Sequence, residues 1–292
     1  MDIRDIFKLL WDKFYFISFF TTLFFVTSLS YSISLPNIYS SNAILKPASS
    51  ENSLSSQLGS LSSLAGMAGV NISGAQGGNK SIEAIERIKS RDFFINNFLP
   101  KIELKNLHAV KNWNKNLNTI EYNSKIFNQT SNKWLLSKSE LSPQKSYKEY
   151  KRILDISEDK KTLFVKISIS HESPYVAQNW LNIIIKEINQ TMKEEERISA
   201  KSSISFLTKE SYDTNIVEIK SVLNDLLKSQ MQTLMLISAE NEYIYKVIES
   251  PNIPVEKISP SRALICILGI FLGGLMSVLY VLLAHIFRPK PA

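Results

Sequence analysis

The chain has 292 residues, 44% of them hydrophobic, and a formal net charge of +7. This length accommodates one or two domains. Cys266 is the single cysteine, which excludes an intramolecular disulfide, so a folded domain must be held together by its own hydrophobic core. The hydrophobic residues are distributed unevenly and are concentrated towards the two ends of the chain.

The first apolar segment begins close to the N-terminus. No Asp, Glu, Lys or Arg occurs between Lys13 and Lys46, and residues 14–35 are rich in Phe, Leu and Ile. About 20 apolar residues cross a bilayer core of about 30 Å, so the pattern predicts a transmembrane helix over 14–35 after a tail of residues 1–13. A cleaved signal peptide is the alternative. The apolar run exceeds the roughly 7–15 residues of a signal-peptide core, and no A-x-A-like site follows it, which favours an uncleaved anchor.

The second apolar segment, residues 263–287, lies between Arg262 and Arg288 and contains no charged Asp, Glu, Lys or Arg. It predicts a second transmembrane helix. The tail 288–292 carries two cations and no acid, which favours the cytoplasm. Because two spans put both tails on one side, we expect residues 36–262 to form an extracytoplasmic domain.

The entry to this domain alternates in side-chain character between Pro36 and Pro47, which predicts a short strand. Residues 49–78 are rich in small residues and predict a weak helix over 58–67 and a flexible loop. Residues 74–81 approximate a phosphate-binding P-loop, but Asn79 replaces its second glycine, so we expect no nucleotide cofactor there. Apolar residues at helical spacing predict an amphipathic helix over 81–99.

The stretch 101–152 is basic, with eleven Lys or Arg against four Glu, and contains Trp113 and Trp134. Cations interleaved with aromatic rings can bind nucleic acid, an acidic glycan or a phosphate headgroup. The alternative, which we favour, is a solvated surface whose two tryptophans support the core. An extracytoplasmic location excludes nucleic acid as a partner.

A hairpin is indicated by residues 152–156 and 162–170, which flank the turn SEDKK. Leu163, Val165, Ile167 and Ile169 alternate with other side chains, a pattern typical of a half-buried strand. Residues 242–249 predict a last strand. We expect an α+β base domain next to the membrane, whose sheet combines the entry strand, the hairpin and the last strand.

Residues 175–230 predict a long helix extending from this base, about 80 Å long if it is continuous at 1.5 Å per residue. A break near 201–205 is the alternative. A heptad-like spacing indicates a seam for packing on neighbouring copies, formed by Tyr212, Ile216, Ile219, Leu223 and Leu226. The acid-base run KEEER within the helix is expected to be solvated.

The approach to the second span is rich in proline. Pro251, Pro254 and Pro260, with Ser259, form a connector over residues 251–260. Proline fixes φ and lacks an N–H donor, so we expect this connector to be stiff. In the span, Gly269, Gly273 and Gly274 predict a small-residue face that allows close helix contact in lipid.

These features resemble the Wzz-type chain length determinant proteins, the polysaccharide co-polymerases of bacterial surface polysaccharide synthesis. The most specific motif is P-x2-P-x4-S-P, matched by Pro251, Pro254, Ser259 and Pro260, and followed by the paired glycines. The segments LPNIYSSNAILKP and QTLMLISAENEYIYKVIESPNIP are also similar to the family. The chain departs from it at Ser261, often Lys, and at residues 277–279, commonly Gly-Ala-Gly.

The resemblance implies a non-enzymatic regulator of glycan chain length in the bacterial inner membrane. It implies a homo-oligomeric ring beside a Wzy-type polymerase that extends an undecaprenyl-linked glycan, with no cofactor. The alternative within the superfamily is an export adaptor or an activator of a separate tyrosine kinase, since residues 288–292 leave no room for a kinase domain. We expect no enzyme, because His108, His171 and His285 lack metal-ligand spacing and no paired carboxylates are indicated.

Overall fold

The computed structural model describes residues 11–48, 76–137, 139–239 and 242–286. The chain divides into two units: one formed by residues 1–39 and 256–292, which we call the helix-pair unit, and one formed by residues 40–255, the middle unit. The predictions for the weak helix 58–67 and most of the glycine-rich loop lie outside the described residues.

Helices account for most of the described chain. Short helical turns cover Arg91–Phe93, Phe94–Phe98 and Leu99–Lys101. The α-helices are α1 (Phe14–Ser34), α2 (Gln76–Lys89), α3 (Leu104–His108), α4 (Pro143–Ile153), α5 (Pro174–Asp213), α6 (Val217–Ala239) and α7 (Arg262–Ile286).

The strands are short apart from the first. They are β1 (Tyr39–Pro47), β2 (Val110–Asn114), β3 (Thr119–Tyr122), β4 (Phe127–Asn128), β5 (Lys133–Trp134), β6 (Leu154–Glu158), β7 (Val165–His171) and β8 (Tyr245–Glu249). The predicted entry strand, hairpin and last strand share a four-stranded sheet in the order β6-β7-β1-β8. This confirms the mixed α+β fold, with long helices, expected from the sequence.

The hairpin begins its second strand later than predicted. Asp159 Oδ1 accepts hydrogen bonds from the backbone N–H groups of Lys161 and Thr162 at 2.7 and 3.1 Å, which closes a wide turn. Leu163, predicted to be buried, therefore has a φ of 60° in this turn and is 47% exposed. Strand β7 begins at Val165, and from there the predicted alternation is correct: Val165, Ile167 and Ile169 are fully buried.

The core of the middle unit lies between this sheet and the helices packed on it. The buried face of β7 contacts the first half of α5, where Trp180, Leu181 and Ile184 are buried. Phe94, Phe98 and Tyr150 complete the cluster, and the ring centroids of Phe94 and Tyr150 are 5.0 Å apart. The hydrophobic residues therefore supply the core that a chain without disulfides requires.

The helix predicted over 81–99 is interrupted. Helix α2 ends at Lys89, and Ser90 is extended, with its Oγ accepting a hydrogen bond from Phe93 N at 3.1 Å. Serine at this position caps a new helical turn rather than continuing the old one. The hydroxyls of Tyr147 and Tyr150 donate to the last carbonyls of α2, at Lys89 and Ile88.

The single long helix predicted over 175–230 is instead a helical hairpin. Helix α5 continues through 201–205 to Asp213, and residues 214–216 turn the chain so that α6 packs against α5. Ser211 Oγ donates to Asn224 Oδ1 across the two helices at 3.3 Å. Folding back gives the apolar residues of both helices a partner surface: Ala200 is 3% exposed and Ile237 is fully buried.

Candidate functional site

The glycines of α7 lie at its contact with α1. A Cβ on Gly269 would overlap Ser28 Oγ, and a Cβ on Gly273 would lie 2.7 Å from Phe24 Cβ. Neither position therefore accepts a larger side chain without separating the helices. Gly274 faces differently, since a Cβ there would have only Thr21 Oγ1 nearby, at 3.9 Å.

The polar residues of α1 are compatible with a membrane interior because most bond to their own helix. Thr21, Thr22 and Thr27 donate to the carbonyls of Ile17, Ser18 and Phe24 at 2.8–2.9 Å. Helix α1 and residues 262–285 are the two helices, among the described residues, that are long and apolar enough to cross a membrane. These bonds lower the cost of placing hydroxyl groups in lipid. Ser32 is the exception in α1, because its Oγ is buried and has no hydrogen-bond partner among the described residues.

The proline connector is distributed over both units. In the middle unit, Pro251 is buried and its carbonyl accepts from Gln178 Nε2 at 3.0 Å, while Asn252 O accepts from Ser41 Oγ at 2.7 Å. In the helix-pair unit, Ser259 pairs with Ile38 through a backbone hydrogen bond of 2.9 Å, and the Ser259–Pro260 peptide is cis. Each end of the connector is thus tied to a neighbouring segment of its own unit.

The predicted seam residues do not lie on one helix. Tyr212 belongs to α5 and Ile216 to the turn, whereas Ile219, Leu223 and Leu226 belong to α6. The heptad spacing crosses residues 214–216, where Thr214 and Asn215 are weak helix formers. All five are at least partly accessible, with Tyr212 81% exposed.

A second spacing, overlooked in the sequence, forms the contact inside the hairpin. The less exposed side of α6 follows a 4-3-4-3 pattern: Leu223, Leu227, Gln230, Leu234 and Ile237. The polar Gln230 interrupts its apolar character, so this spacing is hard to recognise from the sequence. Beside it on the helix surface lies an apolar strip, which we call the outer face, formed by Ile219, Val222 and Leu226, which are 46–59% exposed.

A polar groove of about 810 Å³ lies between α5 and β8. Its lining includes the side-chain amides of Asn182 and Gln190 and the cations Lys186 and Arg197. Amides both donate hydrogen bonds to sugar hydroxyls and accept them, whereas the two cations only donate. The amide of Asn189, which also lies in the lining, is already bonded to backbone groups on both its donor and its acceptor side. This groove was not identified from the sequence, because it depends on α5 and the last strand being adjacent.

The buried histidines and the acidic run are held in hydrogen bonds and ion pairs. No group of three or more His, Cys, Asp or Glu able to hold a metal ion occurs in the described ranges. His171 is buried, with Nε2 2.8 Å from Asn106 O and Nδ1 accepting from Ser173 N at 2.8 Å. Burial lowers the pKa of His171 and of His108, whose Nε2 lies 2.8 Å from Ser146 Oγ. Both histidines serve as structural hydrogen-bonding groups.

The KEEER run makes ion pairs as well as contacting solvent. Glu195 pairs with Arg87 of α2, and Glu196 Oε1 lies 3.2 Å from Lys80 Nζ. Glu194 pairs with Arg197 on the same helix, and this hydrogen bond lowers the Glu194 pKa. These half-exposed pairs position α2 against α5 rather than create an acid-base site.

The two tryptophans of the basic stretch pack against other rings. Trp134 lies 5.1 Å from Phe127 between ring centroids, and Trp113 lies 6.1 Å from Tyr175. Trp134 and Phe127 come from the paired strands β4 and β5, which sequence patterning did not predict. Neither tryptophan belongs to the hydrophobic core cluster, so they stabilise the fold at its periphery rather than support the core as predicted.

Comparison with known proteins identifies the N-terminal part of the chain. Residues 1–98 match the family model described as Wzz, chain length determinant protein. Over these residues the chain is similar to the Wzz family. The resemblance inferred from the sequence motifs is thereby confirmed. No curated protein sequence matches the chain.

Solved structures that the chain matches include a full-length bacterial polysaccharide co-polymerase, which is 13% identical, with a TM-score of 0.45 and full coverage of both chains. A fragment of the polysaccharide co-polymerase WzzB from Salmonella Typhimurium is 16% identical, covers 76% of this chain and 100% of its own, and has a TM-score of 0.35. A mutant of the O-antigen chain-length regulator WzzBSF from Shigella flexneri is 11% identical, with 75% and 99% coverage and a TM-score of 0.27.

Proposed function

We propose that this protein regulates the chain length of a bacterial surface polysaccharide, such as lipopolysaccharide O-antigen, without being an enzyme itself. The observation that carries the proposal is the Wzz domain over residues 1–98. The two candidate membrane helices at opposite ends of the chain support it. Together they favour an inner-membrane protein with cytoplasmic termini and a periplasmic middle unit.

The active form in this proposal is a homo-oligomer. The outer face of α6 exposes Ile219, Val222 and Leu226 next to the side of the helix that α5 covers. Apolar residues at spacings of three and four form a stripe suited to another helix. A second copy of the hairpin is the partner that this stripe would accept.

The partner in the membrane is a Wzy-type polymerase, and the growing undecaprenyl-linked glycan is the molecule whose length is controlled. The polar groove beside α5 supports direct glycan contact, because its amides suit the hydroxyl groups of sugars. The oligomer would then hold glycan and polymerase together until a set length is reached.

The test is an in-frame deletion in the native host, complemented by the wild-type chain. The deletion is expected to convert a clustered ladder of glycan lengths into an unregulated spread, and complementation to restore the clusters. An unchanged ladder after deletion would show that the protein does not regulate length. Purified protein that cleaved or elongated glycan by itself would establish an enzyme instead.

A further inference from the structure

Two cations converge on one neutral oxygen near the ends of the helix pair. Lys257 Nζ and Arg262 Nη2 donate to Asn37 Oδ1, at 3.1 and 3.2 Å. Backbone hydrogen bonds of 2.9 Å from Ile38 N to Ser259 O, and from Ile258 N to Ile38 O, hold the two segments side by side. We call Asn37, Lys257 and Arg262 the cationic collar.

The collar has no counter-charge in the part of the chain that the structure describes. Neither Lys257 nor Arg262 forms a salt bridge there; both bond to the Asn37 amide. Glu256, the neighbouring acid, is exposed and forms no ion pair with either cation. An amide dipole does not neutralise two like charges that both lie within hydrogen-bond distance of it, so the cations repel each other.

The remaining polar groups of the collar are hydrogen-bond donors. Because Asn37 Oδ1 already accepts two bonds, its amide NH₂ and the unused N–H groups of both cations are left to donate. The Nε of Arg262 is covered by protein atoms and has no partner among the described residues, so the Arg262 donors that remain for a ligand are those of its two Nη atoms. A site with donors, positive charge and no free acceptor is complementary to an acceptor-only anion, of which phosphate forms the strongest bonds to arginine.

The position of the collar suits such an anion. Asn37 lies three residues beyond the end of α1 at Ser34, and Arg262 is the first residue of α7. In a bilayer spanned by these helices, the collar lies at the polar boundary, where lipid phosphates are located. The N-terminus of α7 adds a positive helix dipole at the same place.

We propose that the cationic collar binds a phosphate group, carried by a lipid headgroup or free in solution. This proposal rests on the part of the proposed function that places the two helices in a membrane, but not on the control of glycan length. The experiment below measures bound phosphate, so a negative result would not affect the chain-length proposal. Conversely, an unchanged glycan ladder after deletion would not exclude phosphate binding by the collar.

The experiment has two arms, both using the full chain. In the first, the protein is placed in nanodiscs of phosphatidylcholine and phosphatidylglycerol, partly delipidated, and the retained phosphatidylglycerol is counted by native mass spectrometry. In the second, detergent-solubilised protein is titrated with inorganic diphosphate. Lys257→Gln and Arg262→Gln are each expected to weaken binding about five-fold, the effect of one cation at an anionic surface. Lys257→Arg should retain it.

The most discriminating variant is Asn37→Asp, which keeps both cations and nearly the same shape. Its carboxylate would pair with Lys257 and Arg262 and compete with phosphate, so binding should fall at least as far as in the glutamine variants. If the collar only stabilises the fold, the new ion pairs should strengthen it, and the amount of bound lipid should not decrease. Lys160→Gln, which removes an exposed cation from the turn of the middle unit, is the charge-matched control.

The outcomes separate the sources of phosphate. Collar-dependent binding in the nanodisc arm alone identifies a lipid-borne phosphate, binding of diphosphate alone identifies a soluble one, and binding in both arms shows that the phosphate group suffices. Equal binding by wild type, Asn37→Asp and both glutamine variants in the two arms overturns the proposal, as does loss of binding in Lys160→Gln to the same extent.

Discussion

Single residues decide how closely the two apolar helices approach. None of the three glycines has a side chain, but their surroundings differ: a Cβ on Gly269 or Gly273 would clash with Ser28 or Phe24, whereas one on Gly274 would meet only Thr21 Oγ1. Sequence spacing grouped all three as one small-residue face. The difference depends on the rotation of α7 against α1, which spacing alone does not determine.

We therefore predict that Gly273→Leu destabilises the helix pair by about 1–3 kcal/mol, the usual effect of overpacking a close contact. Gly274→Ala is the matched control and should have little effect, because its Cβ would meet only Thr21 Oγ1, at 3.9 Å. The free energy of unfolding in mixed detergent micelles measures both changes. Equal stability of Gly273→Leu and wild type would show that the helices do not pack through this residue in the membrane.

A buried histidine gives the middle unit a dependence on pH. Protonating His171 would place a proton on Nδ1, the atom that accepts a hydrogen bond from Ser173 N. The resulting positive charge would be buried beside Trp180, away from solvent. Asn106 O and the Glu172 carboxylate, 3.8 Å away, favour the charged form, but burial has the larger effect and lowers the pKa of His171. The folded protein thus binds fewer protons than the unfolded chain.

Because the folded pKa of His171 lies below its ordinary value of 6.5, its neutral form contributes full stability above that pH. Stability should then decrease as the pH falls below about 6.5, by at most about 1.4 kcal/mol per pH unit for one proton. Urea unfolding of the full chain in mild detergent, at pH 7.5 and 5.5, measures this decrease. His171→Gln should reduce the slope, and an unchanged slope would assign the pH dependence to other groups.

At the scale of elements, the sequence predicted regular patterns well and interruptions poorly. The alternation of Val165, Ile167 and Ile169 located β7, and paired prolines bounded β1. The break after α2, where Ser90 redirects the backbone, was missed, and the predicted turn before β7 was too short because Asp159 closes a wider one. Such local hydrogen bonds compete with the regular backbone hydrogen bonds of helices and strands, but they do not change the spacing of hydrophobic residues from which the elements were predicted.

In the helical hairpin, we expect buried residues to determine the stability of the monomer and outer-face residues to determine oligomer formation. Ile237 is fully buried, so Ile237→Ala should destabilise the chain by about 2–5 kcal/mol. Leu226 lies on the outer face and is 46% exposed, so Leu226→Asp should change monomer stability by less than about 0.5 kcal/mol while reducing oligomer formation. Unfolding in detergent and mass determination by light scattering distinguish the two. An intact oligomer in both Leu226→Asp and Ile219→Asp would exclude the outer face as its interface.

At the scale of the whole molecule, the two apolar helices and the α+β middle unit were predictable because each depends on a strong pattern. The connector motif and glycine pair pointed to the Wzz family, and residues 1–98 match that family's model. The collar and the polar groove were not predictable, because residues far apart in the chain form them. Asn37 and Arg262, for instance, are 225 positions apart.

In the proposed function, the protein sets glycan length without making glycan. The most direct measurement compares deletion and complemented strains for both the distribution of glycan lengths and the total glycan polymer per cell. Deletion is expected to abolish the preferred length while total polymer stays nearly constant. A proportional loss of polymer at every length, with the preferred length retained, would exclude this function.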